Sequence, residues 1–408
     1  MTKIAVLGHG VVGSGTVELF LKNKDNINRK NGLDLELGYI LDIRDFPGLP
    51  YSDKFTKDIN DILNDPEVKV VAEVMGGLHP SFEFVKSCLE HGKSVTTSNK
   101  ELVAAKGAEL LKAAKEHDCN FMFEASTGGA IPIIRPLDRC LGGNEIYAIA
   151  GILNGTTNFI LTKMISDNMA FDDALKMAQE LGYAEKDPTA DIEGHDACRK
   201  ICILSSLAFG KHVYPEWVHT EGITKLTLED SMYAENWGGS VKLIGSVKRF
   251  EDGTILPMVR PAFVCNGNQL SYVSDVFNGI MVYGDGFDRI MMYGRGAGKL
   301  PTASAVVGDI IDCARQDGTS VSMTWEECSD SSFIKDYTLD EVQMYIRTDG
   351  VSESEINALF GEVEYLDRAG RPDSEKAFIT PKLRECDIIE KMNKYKNNVL
   401  GNIRVLDF

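Results

Sequence analysis

Asp196 and Lys200 lie four residues apart, the spacing that puts two side chains on one face of a helix. They stand at the mouth of Ile201-Cys202-Ile203-Leu204-Ser205-Ser206-Leu207-Ala208-Phe209, which is apolar or small on every side and reads as a buried helix. A charge taken out of water must be paired or used. The plainer reading of the spacing is a surface ion pair; the apolar continuation tips the balance toward a site. The segment Leu181–Lys200 that feeds this helix is rich in charge and includes Tyr183, Glu185 and Asp191. Carboxylates and an ammonium in one cleft can hold a substrate amine and move a proton. A second lysine, Lys100, follows the strand-like run Lys93–Thr97, on the side where ligands gather in open α/β sheets. Taken alone it reads as a solvated lysine at a helix start.

Gly8-His9-Gly10-Val11-Val12-Gly13 fits G-x-G-x-x-G between a strand, Ile4–Leu7, and a helix. Such glycines allow a tight turn and close approach to a pyrophosphate, which the helix N-terminus attracts. The next strand ends at an acid, Asp42, suited to accept hydrogen bonds from ribose hydroxyls and to repel the extra phosphate of NADP. That favours NAD, although Arg44 two positions on could meet a 2′-phosphate. Asp42 lies 34 residues after Gly8, more than the usual ~20; the polar stretch Lys22–Gly32 absorbs the excess.

These residues need a frame. Up to about residue 130, strands (Ile4–Leu7, Leu35–Leu41, Val68–Val74, Lys93–Thr97, Phe121–Glu124) alternate with helices (Val12–Leu21, Pro80–Glu90, Leu102–Lys115), which predicts a Rossmann-type, doubly wound parallel α/β sheet. Residues 131–295 read as an α+β substrate-binding, catalytic and dimerisation domain. Its elements are helices at Pro132–Cys140, Phe171–Leu181 and Glu193–Phe209 and strands at Ile146–Asn154, Val241–Phe250, Ile255–Phe263, Leu270–Val276, Ile280–Tyr283 and Arg289–Tyr293, in an open, mostly antiparallel sheet. A helix at Pro301–Ala314, within 296–318, is expected to pack back on the first domain. Residues 315–332 read as a linker, and 333–408 as a β-α-β-β-α-β module of ferredoxin-like order.

The chain has 408 residues, 43 of them basic and 61 acidic, a net charge of −18. That balance argues against nucleic acid or an anionic membrane as principal partner. No apolar run has the length of a membrane span, and the start of the chain lacks a signal-peptide pattern. The nine cysteines form no Cys-x-x-Cys and read as reduced thiols of a cytoplasmic protein.

Several blocks together resemble homoserine dehydrogenase: Asn99–Ala104, Phe123–Ile134, Gly151–Ile160, Leu181–Lys200 and Gly294–Val306, in order over roughly residues 1–315. The resemblance implies reversible NAD(P)H-dependent reduction of L-aspartate 4-semialdehyde to L-homoserine, in threonine, methionine and isoleucine biosynthesis, by a homodimer or homotetramer. It assigns Lys200, Lys100 and Asp196 to catalysis, and Glu185, Asp191, Tyr183, Gly155 and Thr156 to the substrate. It places Gly8, His9, Gly10, Val11, Val12, Gly13, Asp42, Arg44, Gly76, Lys100, Gly296 and Gly298 beside the cofactor. It also implies a sodium ion (Na+) on the carbonyls of Glu124, Thr127, Gly129 and Ile131. Many relatives have Arg where this chain has Asp42. Residues 333–408 resemble an ACT domain, but Thr348-Asp349-Gly350-Val351-Ser352 stands where such modules carry Asp-x-Pro-Gly. Two readings stand for it: feedback inhibition by an amino acid such as L-threonine, or a structural, dimerising role. The rivals for the whole chain are another amino-acid or aldehyde oxidoreductase on this fold, and a catalytically silent NAD sensor.

Overall fold

In the computed structural model, which describes residues 1–320 and 323–408, the alternating pattern at the start of the chain forms a six-stranded sheet. Its strands are β1 (Thr2–Leu7), β2 (Leu35–Leu41), β3 (Phe55–Thr56), β4 (Val68–Glu73), β5 (Ser94–Thr97) and β6 (Phe121–Met122), in the order β3-β2-β1-β4-β5-β6. Every neighbouring pair is parallel. The crossovers contain α1 (Val11–Asn31), α2 (Ile59–Leu63), α3 (Ser81–Glu90) and α4 (Lys100–Glu116). The strand order reverses between β1 and β4, and such a switch opens a crevice beyond the strand ends.

The chain continues through β7 (Ile146–Ile152), α5 (Gly155–Ser166), α6 (Phe171–Glu180), α7 (Thr189–Ile192) and α8 (His195–Phe209). Then follow β8 (His219–Thr220), α9 (Leu228–Asn236), β9 (Gly239–Arg249), β10 (Ile255–Cys265), β11 (Phe277–Gly284), β12 (Asp288–Arg295) and α10 (Lys299–Arg315). The last part runs β13 (Glu341–Val342), β14 (Met344–Asp349), α11 (Glu353–Phe360), β15 (Glu364–Leu366), β16 (Glu375–Ile379), β17 (Leu383–Arg384), α12 (Glu385–Asn393) and β18 (Val399–Val405).

These strands form a second sheet, ordered β12-β11-β7-β9-β10-β18-β14-β16-β15, with β8 beside β10. Most of its resolved pairings are antiparallel, but β10 pairs in parallel with both β18 and β8. The ferredoxin-like order β18-β14-β16-β15 is present and antiparallel throughout. It continues the larger sheet through Ala262↔Arg404 and Phe263↔Val405. Buried Ile152, Ile244, Ala262, Leu270 and Met281 pack one core on this sheet. Met344, Ile346, Ile356, Phe378 and Ile388 pack another under α11 and α12.

The chain divides into two compact units, residues 1–145, 202–215 and 294–330 in one, and 146–201, 216–293 and 331–408 in the other. The edges differ from the sequence division. Helix α8 changes units between Ile201 and Cys202, and the C-terminal module counts with the second unit. The stretch 315–332, read as a linker, includes 321 and 322, which lie outside the described residues. Within it Trp325 is buried, donates from Nε1 to His212 Nδ1 at 2.8 Å and packs on the Phe123 ring. One strand expectation is overturned: Leu270–Val276 holds a 3-10 turn, Gln269–Tyr272. Asn268 accepts from the Leu270 N–H and its carbonyl accepts from the Ser271 hydroxyl, so local bonds replace a ladder. Helices α2, α5, α7 and α9 were not anticipated.

Candidate active site

The glycine loop leaves β1 with Gly8 at a φ of +96°, where a Cβ would stand 2.8 Å from Met75 Cγ. A Cβ on Gly13 would stand 2.0 Å from the Gly8 carbonyl oxygen, so only hydrogen fits in this turn. Gly10, the N-cap of α1, is exposed, with nothing within 4 Å of its Cβ position. Val11 is also exposed, Val12 is half-buried, and no acid occupies the first turn of α1. A tight turn, an open mouth and an uncompensated helix N-terminus fit a dinucleotide pyrophosphate. Gly76 (φ +80°) lies just past the end of β4. Gly296 is buried against Gly129, and Gly298 caps α10, whose first residue, Lys299, lies against Gly15 of α1.

Asp42 is fully engaged. Its Oδ2 accepts from the His9 backbone N–H at 2.8 Å and from Arg44 Nη2 at 2.8 Å. Its Oδ1 accepts from Arg44 N at 3.0 Å and Nε at 2.9 Å. The Arg44 guanidinium holds the Asp42 carboxyl well below the usual carboxylate range. The acid and the arginine that the sequence sets against each other are therefore a bidentate pair. The His9 ring is buried among Phe46, Tyr51 and Phe55, with Nε2 3.2 Å from the Tyr51 hydroxyl, and burial lowers its pKa.

The turn after β6 is built around a buried carboxylate. Glu124 accepts from the backbone N–H groups of Ile133, Ile134 and Arg135 at 2.6, 2.8 and 2.9 Å. Asp309 of α10, pushed up to about 6 by burial, accepts from Glu124 N, Thr96 Oγ1 and Arg135 Nη2. Thr127, Gly129 and Ile131 are buried, and among the described residues no hydrogen bond ends on their carbonyl oxygens. Buried carbonyls that need a partner fit a hard cation such as sodium. The signal was illegible in the sequence because backbone oxygens leave no residue-type signature.

The second unit holds the charged cluster. Asn154 ends the loop after β7 and caps α5, its Oδ1 accepting from Thr157 N at 2.9 Å. Gly155 opens the helix with its Cβ position 2.7 Å from the Val276 carbonyl oxygen, a gap that no larger residue fits. Thr156 Oγ1 donates to the Tyr183 carbonyl at 2.7 Å, and the Tyr183 ring meets Phe159 edge-on. From α8, Lys200 Nζ is 2.8 Å from Asp196 Oδ2 and donates to the Leu153 carbonyl at 2.7 Å. Both side chains are buried, at 7% and 5% exposure, which excludes the surface-pair reading. Asn154 Nδ2 donates to Asp196 Oδ2 at 2.8 Å and to Asp191 Oδ1 of α7 at 2.6 Å. The structure thus joins Asp191, Asp196 and Lys200 in one network. Glu185 stands exposed on the loop between α6 and α7. Lys100, half-buried, is the first residue of α4 in the first unit, capped by Asn99. Asn154 and the Leu153 carbonyl escaped the sequence reading; the only available signal was an N-cap residue before Gly-Thr-Thr.

Two family models match the chain one after the other. A family model for the homoserine dehydrogenase NAD-binding domain matches residues 8–124, and a homoserine dehydrogenase model matches 132–311. The homoserine dehydrogenase of Bacillus subtilis is 39% identical over 315 residues, covering 76% of this chain and 72% of that protein. The crystal structure of a homoserine dehydrogenase from Thiobacillus denitrificans superposes with a TM-score of 0.87 at 33% identity, over 100% of this chain and 98% of that one. A hyperthermophilic archaeal homoserine dehydrogenase mutant in complex with NADPH superposes at 0.66 with 28% identity, over 76% and 97%. With a dinucleotide cradle in one unit, a buried lysine–carboxylate cluster in the other and both family models placed on them in order, the chain belongs to the homoserine dehydrogenases.

Proposed function

We propose that the chain interconverts L-aspartate 4-semialdehyde and L-homoserine, with Lys200 as proton donor in reduction. The buried Lys200–Asp196 pair carries this reading. When bound, the nicotinamide supplies the hydride in reduction and accepts it in oxidation. As negative charge grows on the aldehyde oxygen, the Lys200 ammonium stabilises it and hands over a proton. Asp196 balances and aims that ammonium. Glu185 and Asp191 receive the substrate amine, Gly155, Thr156 and Tyr183 line its place, and Lys100 assists in polarising or positioning it.

NAD is preferred over NADP. In support, Arg44 commits its Nε and Nη2 to Asp42 and so does not offer them to an added phosphate. A sodium ion occupies the Glu124–Ile131 turn. The enzyme works in the cytoplasm as a homodimer or homotetramer, and its C-terminal module senses an amino acid such as L-threonine. The ferredoxin-like strand order of that module suits a sensing role and a structural one alike, so the threonine arm of the assay decides between them.

Oxidation of L-homoserine, followed by nicotinamide absorbance with NAD and with NADP and with or without L-threonine, tests these assignments together. Lys200→Ala is expected to lower kcat by about 100-fold or more. Near-normal turnover in that variant beside a dead Lys100→Ala would reverse the two lysines' roles. A strong NADP preference would sink the Asp42 argument. Absence of threonine inhibition would leave the module a structural part.

A further inference from the structure

Asn154 is buried and sits where three elements converge: the end of β7, the start of α5 and the α7–α8 segment. Its two side-chain atoms do separate jobs. Oδ1 accepts from Thr157 N and caps α5, which any short oxygen-bearing side chain could do. Nδ2 does something a cap does not require: it donates to Asp196 Oδ2 at 2.8 Å and to Asp191 Oδ1 at 2.6 Å. The same Asp196 oxygen is the one 2.8 Å from Lys200 Nζ. The residue before it, Leu153, offers the carbonyl that accepts from Lys200 at 2.7 Å. A single stretch of loop therefore sets two anchors of the lysine, one through its backbone and one through the carboxylate it orients.

We propose that Asn154 is a positioning residue for the proton-transfer lysine and a clamp that holds Asp191 and Asp196 at a fixed separation. Two carboxylates sharing one amide donor are kept apart and aimed, one toward Lys200 and the other toward the place of the substrate amine. An amide suits this role because it supplies two N–H donors without adding charge. The charged groups around Lys200 in this network are Asp196 on its own helix and, through Asn154, Asp191 on α7. The inference rests on Lys200 being the proton donor.

The test uses the full-length enzyme and two variants that both keep an N-cap. Asn154→Ser removes the donor to the carboxylates. Asn154→Asp replaces that donor with a third carboxylate beside Asp191 and Asp196. In each, kcat is expected to fall by about 10- to 100-fold, since small misplacements of a reacting group cost that much. KM for homoserine is expected to change less. In Asn154→Asp, the limb of the kcat/KM pH profile that reports the lysine should move to higher pH, because added negative charge favours the ammonium; Asn154→Ser should not move it upward. Thermal melts followed by circular dichroism accompany the kinetics. The proposal falls if both variants keep wild-type kcat and pH profile. It also falls if activity is lost only in step with a lowered Tm in both, which is what a bare helix cap would give. Lys200→Ala run in parallel separates the two claims. Wild-type turnover in Lys200→Ala would overturn the proton-donor reading, whereas fully active Asn154 variants beside an inactive Lys200→Ala would overturn the role of Asn154 alone.

Discussion

Lys200 and Lys242 are both buried lysines of the second unit, and they are held in different ways. Lys200 meets a carboxylate, Asp196. Lys242, on β9, donates to the Val273 carbonyl at 2.7 Å and to Asn158 Oδ1 at 3.3 Å, both uncharged, and burial pushes it down to about 8. Its value in the fold lies below the unfolded 10.5, so the ammonium costs stability at low pH and that cost is relieved as pH rises from about 8 toward 10.5. Lys242→Met removes the titration. The unfolding free energy of the wild type minus that of the variant should therefore rise by about 2 kcal/mol between roughly pH 7.5 and 10. Denaturant unfolding at the two pH values checks it, and an unchanged difference would mean Lys242 is no titrating burden. The sequence separated these lysines for one reason: Asp196 stands at helical spacing from Lys200. Lys242 lies in an apolar strand with no such companion, and the oxygens that receive it come from two distant segments, Val273 and Asn158 of α5.

At the scale of elements, legibility followed periodicity. The alternation that makes β1, α1, β2 and β4 was readable because each strand is a run of buried apolar residues bounded by turns. Helix α5 was not. Its residues Thr157-Asn158-Phe159-Ile160-Leu161 form one unbroken buried run, which blurs the helical period. Leu270 and Val273 misled in the opposite sense, since both reach the core from a turn. The glycine turn was the most readable element, because steric exclusion dictates its sequence. Gly13→Ala would place a methyl carbon 2.0 Å from the Gly8 carbonyl. Displacing that turn should cost about 1–3 kcal/mol of cofactor affinity, or about 10- to 100-fold in Kd for NADH. Fluorescence titration measures it, and an unchanged Kd would show that the loop moves aside freely.

For the whole molecule, the C-terminal module was legible as an order of elements, but its attachment was not. It is tied into the second unit at several points. Arg260 donates to both oxygens of Glu385, at 3.0 and 3.1 Å, and Arg404 binds the same carboxylate. Arg347 reaches Asp230 at 2.9 Å, and Tyr345 stacks on Phe263 with ring centroids 4.4 Å apart. Glu385→Ala leaves two buried guanidinium groups short of a carboxylate and should destabilise the protein by about 3–5 kcal/mol, seen as a lowered Tm. A preserved Tm would mean the charges find other partners. None of these ties leaves a sequence signal, because each joins residues that are distant in sequence or stand on either side of helix α12. The parallel pairing of β10 with β18 carries a practical meaning for anyone wishing to recombine this enzyme with a relative. A tail transplanted as a cassette at residue 332 would have to bring a final strand whose register suits Ala262 and Phe263. Homologous tails therefore exchange with their whole docking seam or fail to assemble.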